Sequence, residues 1–239
     1  MKLGIMQPYF FPYLGYFSLI NETDKWIVFD TVQYIEHGWV NRNRIIHATK
    51  PESTYITIPL QMHSQKTCIK DITISQNEQY IEKILGQIKT SYKRRAPYFK
   101  EIYGLVENCL DAEKNSLVDL NVYSLRKVCD YLSIDFDYQI FSKMDLAIKP
   151  VNDAGEWALN ISEAMNADEY INPPGGKGLF DGEKFAKANI KLKFIENNLP
   201  TYNQKKSAFI SGLSILDVMM FNSPEETVRM IENITCSEI

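Results

Sequence analysis

Residues 1–30 read MKLGIMQPYFFPYLGYFSLINETDKWIVFD, and this stretch decides the fold. Leu3–Met6 is a short apolar run. Gln7–Tyr13 is an aromatic loop framed by Pro8 and Pro12, and Leu14–Ile20 has the apolar density of a short helix. After a turn, Trp26–Phe29 forms a second apolar run that ends in Asp30. Two buried strands joined by a short helix make a βαβ unit with parallel strands. The polar groups that follow those strands, Gln7 and Asp30, collect on one edge of the sheet. Open α/β folds bind their ligands on that edge.

Outward from this unit, two β-prone runs follow, Trp39–Ile46 and Thr54–Leu60, separated by the turn-rich Lys50-Pro51-Glu52-Ser53. They predict a β-hairpin. Alternation puts Val40, Arg42 and Arg44 on one face and Asn41 and Asn43 on the other. Neither set is apolar, so the ribbon is expected over the sheet edge rather than through the core. Ile69–Ile74 is a further β-prone run. From Asn77 to Leu132 the pattern is helical, with Ile81, Ile84, Leu85 and Ile88 at helical spacing. Pro97 is expected in the first turn of a second helix, Tyr98–Asp111. Asn115 is expected to cap a third, which runs to Leu132.

A second α/β half begins near Asp137. Its strands are expected at Phe136–Phe141, Glu169–Ile171 and Ile190–Ile195. One helix, capped by Asn152 and Asp153, runs to Met165, and another spans Asp181–Ala188. Two more close the chain, Ile215–Phe221 and Pro224–Ile234, with Ser223 as a cap. No linker or repeat interrupts the sequence. The expected architecture is one α/β domain over residues 1–239. It has a mostly parallel Rossmann-like sheet, flanking helices, a β-hairpin excursion and a helical insertion at about 77–132.

Composition bounds the function. At 239 residues and 45% hydrophobic the chain can bury a full core. A net charge of −4 gives no lead towards nucleic acid or an anionic membrane, and neither partner is expected. No apolar stretch approaches the roughly 20 residues that span a bilayer, so no membrane insertion is expected. The first residues carry one lysine and only a short apolar run, so no signal peptide is expected. Cys68, Cys109, Cys129 and Cys236 fall on different elements without a CxxC pair. Neither a metal site nor a disulfide framework is expected, and reduced thiols fit a cytoplasmic protein.

Several loops carry candidate chemistry. Asp30 ends a buried strand, the place where a carboxylate holds a ribose hydroxyl, a metal or a substrate amine. His37, in Glu36-His37-Gly38-Trp39, is a candidate general base, although a lone histidine is more often structural. Gln7, Gln33, Asn41 and Asn43 form an amide-rich set that suits a neutral polyhydroxyl ligand and is poor at acid–base work. Tyr9 adds a ring that can stack and hydrogen-bond. Gly175-Gly176-Lys177-Gly178 follows a strand and precedes a helix, which fits an anion cradle as well as a plain turn. Lys205, Lys206 and Ser207 can close over phosphates or form an exposed basic loop. Lys93-Arg94-Arg95 reads as an anion clamp or as a solvated helix end. There is no Walker A motif, no GxGxxG and no nucleophile elbow, so no cofactor is implied.

Four stretches, Met6–Phe17, Phe29–Tyr34, Trp39–Ile45 and Gly212–Asn222, make the chain resemble the WbqC-like family over almost its whole length. The resemblance implies a bacterial protein of O-antigen or other surface-polysaccharide pathways. Its expected activity is transfer of an acyl or aminoacyl group, from a donor, onto the amine of a nucleotide-linked amino sugar. In that scheme Asp30 orients or deprotonates the amine, with His37 as a second candidate. Gln7, Tyr9, Gln33, Asn41 and Asn43 hold hydroxyl or amide groups. Arg42, Arg44, the 175–177 loop and residues 205–207 hold phosphates. Members often carry His where this chain has Met6 and a second acid where it has Thr31, so a paired-carboxylate metal site at Asp30 is not expected. Two alternatives stand beside this scheme. One is a non-enzymatic scaffold that docks through Tyr9–Tyr16. The other is a nucleotidyltransferase-like enzyme, for which the histidines of the HIGH class are absent.

Overall fold

In the computed structural model, residues 1–77, 79–112, 114–196 and 198–238 are described. The chain starts with β1 (Lys2–Met6), α1 (Leu14–Asn21) and β2 (Lys25–Val28), and β1 and β2 pair in parallel. Gly4 lies beside Trp26 in this pairing, and a Cβ there would stand 2.7 Å from Trp26 Cε3. Only glycine lets the indole lie flat across the first strand. An excursion follows. It holds a hairpin of β3 (Arg42–Ile46) and β4 (Ser53–Thr57), and then α2 (Gln79–Tyr92), α3 (Phe99–Leu110) and α4 (Leu117–Leu132). The chain returns to the sheet as β5 (Tyr138–Ile140). It then adds α5 (Glu156–Ala164), β6 (Glu169–Asn172), α6 (Gly182–Lys187) and β7 (Lys191–Ile195). The last elements are α7 (Ile215–Phe221), α8 (Pro224–Glu232) and β8 (Cys236–Glu238).

The main sheet has six strands in the order β5-β2-β1-β6-β7-β8, all parallel except β8, and the hairpin is separate from it. This is the expected mostly parallel sheet with a hairpin excursion. Both faces are covered, which is why its strands read as near-continuous apolar runs. Trp26 and Val28 face a large core shared with α1, α2, α3, α4, α7 and α8. Leu3, Ile5 and Ile27 face a smaller core under α5 and α6. Among the described residues no helix is long and apolar enough to cross a membrane. All four cysteines are free, and burial pushes the Cys109 thiol up to about 12.

Several boundaries differ from expectation. Ile69–Ile74 is not a strand: Ile69–Asp71 is a 3₁₀ turn, and its N–H groups serve irregular chain, Ile69 N on Val32 O and Lys70 N on Asp30 O. Pro97 precedes the second helix of the excursion instead of lying within it, because α3 starts at Phe99. Ser116, not Asn115, caps α4 and accepts from Asp119 N. Gly155 occupies the cap position of α5, and Asp153 supplies the accepting carboxylate. The antiparallel β8 was not foreseen. It has three residues and borrows its order from the edge of β7.

The aromatic loop after β1 is buried, not displayed. Phe10, Phe11, Tyr16 and Phe17 are core residues, and Tyr9 and Tyr13 are half-buried. Buried loop carbonyls need donors. Asn121, in the middle of α4, donates to Pro8 O at 2.9 Å and to Val40 O at 2.7 Å. Asn121→Leu is expected to lower stability by about 2–4 kcal/mol, because two buried carbonyls lose their donor. A urea titration reads this as a lower midpoint at unchanged slope. A loss below about 0.5 kcal/mol would mean that Asn121 does not carry the loop.

Candidate functional site

From β1 the sheet grows one way to β2 and β5 and the other way to β6 and β7. The order therefore reverses between β1 and β6, and an open α/β sheet forms a crevice outside the strand ends at such a point. A cavity of about 380 Å³ lies there. Met6, Tyr9 and Tyr13 line it from the end of β1, and Pro173 and Gly175 from the end of β6. Trp39 and Asn43 contribute from the hairpin side, and Leu199 and Gly212 from the loop before α7. Burial pushes the Tyr9 and Tyr13 phenols above their ordinary value, so both are neutral rings with a hydroxyl.

Trp39 is held at this cavity by a ladder of rings and cations. The Arg42 guanidinium lies 4.2 Å over Tyr55, Tyr55 stacks on Trp39 at 6.4 Å, and the Arg44 guanidinium lies 5.4 Å over Trp39. Arg44 also donates from Nη2 to Gly212 O at 3.2 Å, which ties the hairpin to the loop before α7. Its Nε is buried and has no partner among the described residues. A buried charged donor without an acceptor is costly unless something binds it. Stacked arginine is also well suited to planar and anionic ligands.

The amides expected to orient a ligand have other partners in this structure. Asn43 donates from Nδ2 to Phe10 O and Phe11 O at 3.0 and 2.9 Å, and its Oδ1 accepts from Arg44 N. Asn41 donates to Ile58 O and accepts from Tyr34 Oη. Gln33 is exposed and donates to Gln65 O at 2.6 Å. Gln7 follows Met6 directly, and its carbonyl accepts from Tyr16 Oη. Asp30 is 1% exposed, and its two oxygens accept from Ser142 N at 3.0 Å and Ser142 Oγ at 2.5 Å. It thereby ties the end of β2 to the residues after β5, on the side of the sheet away from β6.

The remaining candidates do not share one crevice. His37, Asn41 and Arg42 line a separate groove of about 530 Å³ with His63. Of the 175–178 segment, Pro174–Gly176 forms a 3₁₀ turn, and α6 starts only at Gly182, capped by Asp181. The expected row of free N–H groups at a helix start is therefore not at Gly175–Gly178. Gly176 N and Lys177 N donate to Pro173 O and Pro174 O, and Lys177 Nζ lies 5.6 Å over Phe194. Lys206 reaches Ala48 O and Lys50 O, and Lys205 and Ser207 are exposed. Among the described residues no group of His, Cys, Asp and Glu could hold a metal ion. A further cavity of about 280 Å³ between α5 and α6 is lined by Lys184, which pairs with Glu156 at 2.7 Å. Its charges already have partners.

The loop before α7 is anchored on a group that sequence reasoning missed. Asp217 is fully buried and accepts from Tyr92 Oη at 2.5 Å, Tyr202 Oη at 2.6 Å and Gln204 Nε2 at 2.9 Å. Burial pushes its carboxyl up to about 6, and the donated hydrogen bonds pull the other way without winning. A lone acid within Ile215-Leu216-Asp217-Val218-Met219-Met220 was the available signal. Tyr13, Trp39, Leu199 and Gly212 were missed as cavity residues, because nothing in their local pattern distinguishes a cavity wall from core edge.

Fold and crevice together define an open α/β protein with a cavity at its topological switch point. The chain belongs to the WbqC-like protein family, whose match runs over residues 7–229. It is 25% identical over 228 residues to the uncharacterized protein Rv1507c of Mycobacterium tuberculosis, a match that covers 92% of this chain and 93% of that protein. No solved structure matches the chain.

Asp217 makes stability depend on pH with a definite sign. Its folded value, about 6, lies above the ordinary 3.8. Between those values the unfolded carboxyl has lost its proton and the folded one keeps it, so stability falls as pH rises through the window. The stability of the native protein relative to Asp217→Asn is expected to fall by about 2 kcal/mol from about pH 4 to about pH 7. Urea titrations at several pH values measure it. A difference independent of pH would show that Asp217 titrates normally.

Proposed function

We propose that the switch-point cavity binds a nucleotide-linked amino sugar, and that the protein is a transferase of surface-polysaccharide assembly acting on that sugar's amine. The observation that carries this reading is the aromatic wall together with Arg44 behind it, which lies over the wall residue Trp39, donates to the wall residue Gly212 and keeps a buried nitrogen with no partner among the described residues. Tyr9, Tyr13 and Trp39 suit the faces of a base or a sugar, and Arg44 suits a phosphate. Family membership supports the pathway, through the resemblance to O-antigen gene products.

The reaction in this reading is attack of the sugar amine on the carbonyl of an activated acyl or aminoacyl donor. A C–N bond forms, the donor's leaving group departs with its electron pair, and the amine proton passes to water. Among the described residues no carboxylate or imidazole lines the cavity, so the protein's contribution is orientation and not proton transfer. Asp30 and His37 lie outside the cavity, and this reading assigns them no step. A scaffold role has little support, because the aromatic residues of the 9–16 loop are buried or line the cavity.

Thermal unfolding with a panel of nucleotide-linked amino sugars is the test. Saturation about 100-fold above Kd is expected to stabilise the protein by about 2.7 kcal/mol. Trp39→Ala and Arg44→Met are each expected to weaken binding about 10- to 100-fold, while Gln33→Ala leaves it unchanged. If no member of the panel raises the unfolding temperature of the intact protein, the reading fails.

A further inference from the structure

Two cationic segments far apart in the chain meet over the turn that follows β3. Arg95, between α2 and α3, donates from Nη2 to Ala48 O at 2.7 Å. Lys206, in the loop before α7, donates from Nζ to the same oxygen at 3.4 Å and to Lys50 O at 3.1 Å. Among the described residues neither cation has a carboxylate at ion-pairing distance, although Lys50 beside them pairs with Glu52 at 3.4 Å. Lys93, Arg94 and Lys205 flank the pair in sequence and are exposed.

The pair is held in place, not left to drift together. Gln204 closes the base of the Lys206 loop: its Oε1 accepts from Ile210 N at 2.8 Å, and its Nε2 donates to Ile210 O at 2.9 Å. Asn203 Oδ1 accepts from Lys205 N, and Lys205 sits at φ 53°, a bend that costs energy for any residue but glycine. On the other side, Arg95 N donates to Tyr92 O. Tyr92 and Gln204 both donate to Asp217, so one buried carboxylate positions both cationic segments.

Burial, and after it the charge of Arg95, holds Lys206 below the usual lysine value. Two like charges brought this close repel, and carbonyl dipoles offset only part of that cost. A guanidinium has five N–H donors and an ammonium three. Among the described residues, most of the Arg95 donors and one of Lys206 have no acceptor. Forked guanidinium donors beside an ammonium match the oxygens of a phosphate group. The net charge of −4 argues against a nucleic-acid backbone as the source of that phosphate and favours a small molecule.

We propose that Arg95 and Lys206 form an anion site, separate from the switch-point cavity, that takes the phosphate or diphosphate group of a small-molecule ligand. The site stands whether or not the cavity binds a nucleotide-linked sugar.

Calorimetric titration of the full chain with inorganic pyrophosphate at low salt tests the site. Saturable binding that weakens as salt is raised is expected. Arg95→Met and Lys206→Met are each expected to weaken it about 10-fold or more, and Lys206→Arg to keep it within about 3-fold of the native protein. Arg44→Met, which removes the cation behind the cavity residues Trp39 and Gly212, is expected to leave it unchanged. If Arg95→Met does not fold, Lys206→Met decides the matter alone. The proposal is overturned if pyrophosphate does not bind the native protein, if binding survives Lys206→Met undiminished, or if it is lost in Arg44→Met instead. It is also overturned if an RNA oligonucleotide binds at this patch and pyrophosphate does not displace it.

Discussion

Residues 7–13 leave the sheet through the interior of the protein, and a buried backbone outside regular structure must find every hydrogen-bond partner elsewhere. This requirement shapes much of the molecule. Gln7 O accepts from Tyr16 Oη, Pro8 O from Asn121, Phe10 O and Phe11 O from Asn43, Phe11 O also from Ser214 Oγ, and Pro12 O from Ile215 N. The donors come from α1, α4, β3 and the start of α7. Each of those elements is therefore brought to the loop by a polar contact as well as by apolar packing. Phe11 is held at φ 39°, a strained value for a bulky residue, and this dense set of clamps is what sustains it. The cavity at the switch point follows, because its Tyr9 and Tyr13 walls belong to the clamped segment.

Asp217 organises the opposite side in a comparable way. Desolvation and hydrogen bonding act on it in opposite directions, and desolvation is the larger. Burial of the carboxyl is unfavourable, and its three donors come from α2 and from the loop before α7. The loop that carries Leu199 to the cavity and Lys206 to Arg95 is thus fixed to the core at one point. Arg44 fixes it at another, through Gly212 O.

The sequence made the sheet legible because burial on both faces leaves a strong trace. Leu3–Met6, Trp26–Phe29, Glu169–Ile171 and Ile190–Ile195 are short apolar runs between turn signals, and all four fall on parallel strands. Ile69–Ile74 has the same local composition. Its partners are scattered, residues 30–32 for its start and residues 60–61 and 115–117 for its end, a tertiary fact that no local pattern encodes. β8 failed for the opposite reason, since three residues without alternation carry no signal. The parallel pairing of β1 with β2 was legible from the βαβ order. The cavity walls were not, because Trp39, Leu199 and Gly212 reach it from separate loops.

The roles of the polar residues were the least legible, and hydrogen-bond capacity explains why. A ligand and a buried backbone carbonyl make the same demand on an asparagine. In the sequence, Asn41 and Asn43 beside Arg42 and Arg44 look like one recognition surface. In the structure the amides are spent on carbonyls of the aromatic loop and of Ile58, where each saves a buried acceptor from going unpaired. The cations are only partly engaged, since a guanidinium has more donors than one carbonyl can use. The capacity left for a ligand therefore sits on Arg44, Arg95 and Lys206 and on the rings of Tyr9, Tyr13 and Trp39. These groups lie at two separate places, Arg44 with the three rings at the switch point and Arg95 with Lys206 over the turn after β3, and at neither is the free capacity an amide's.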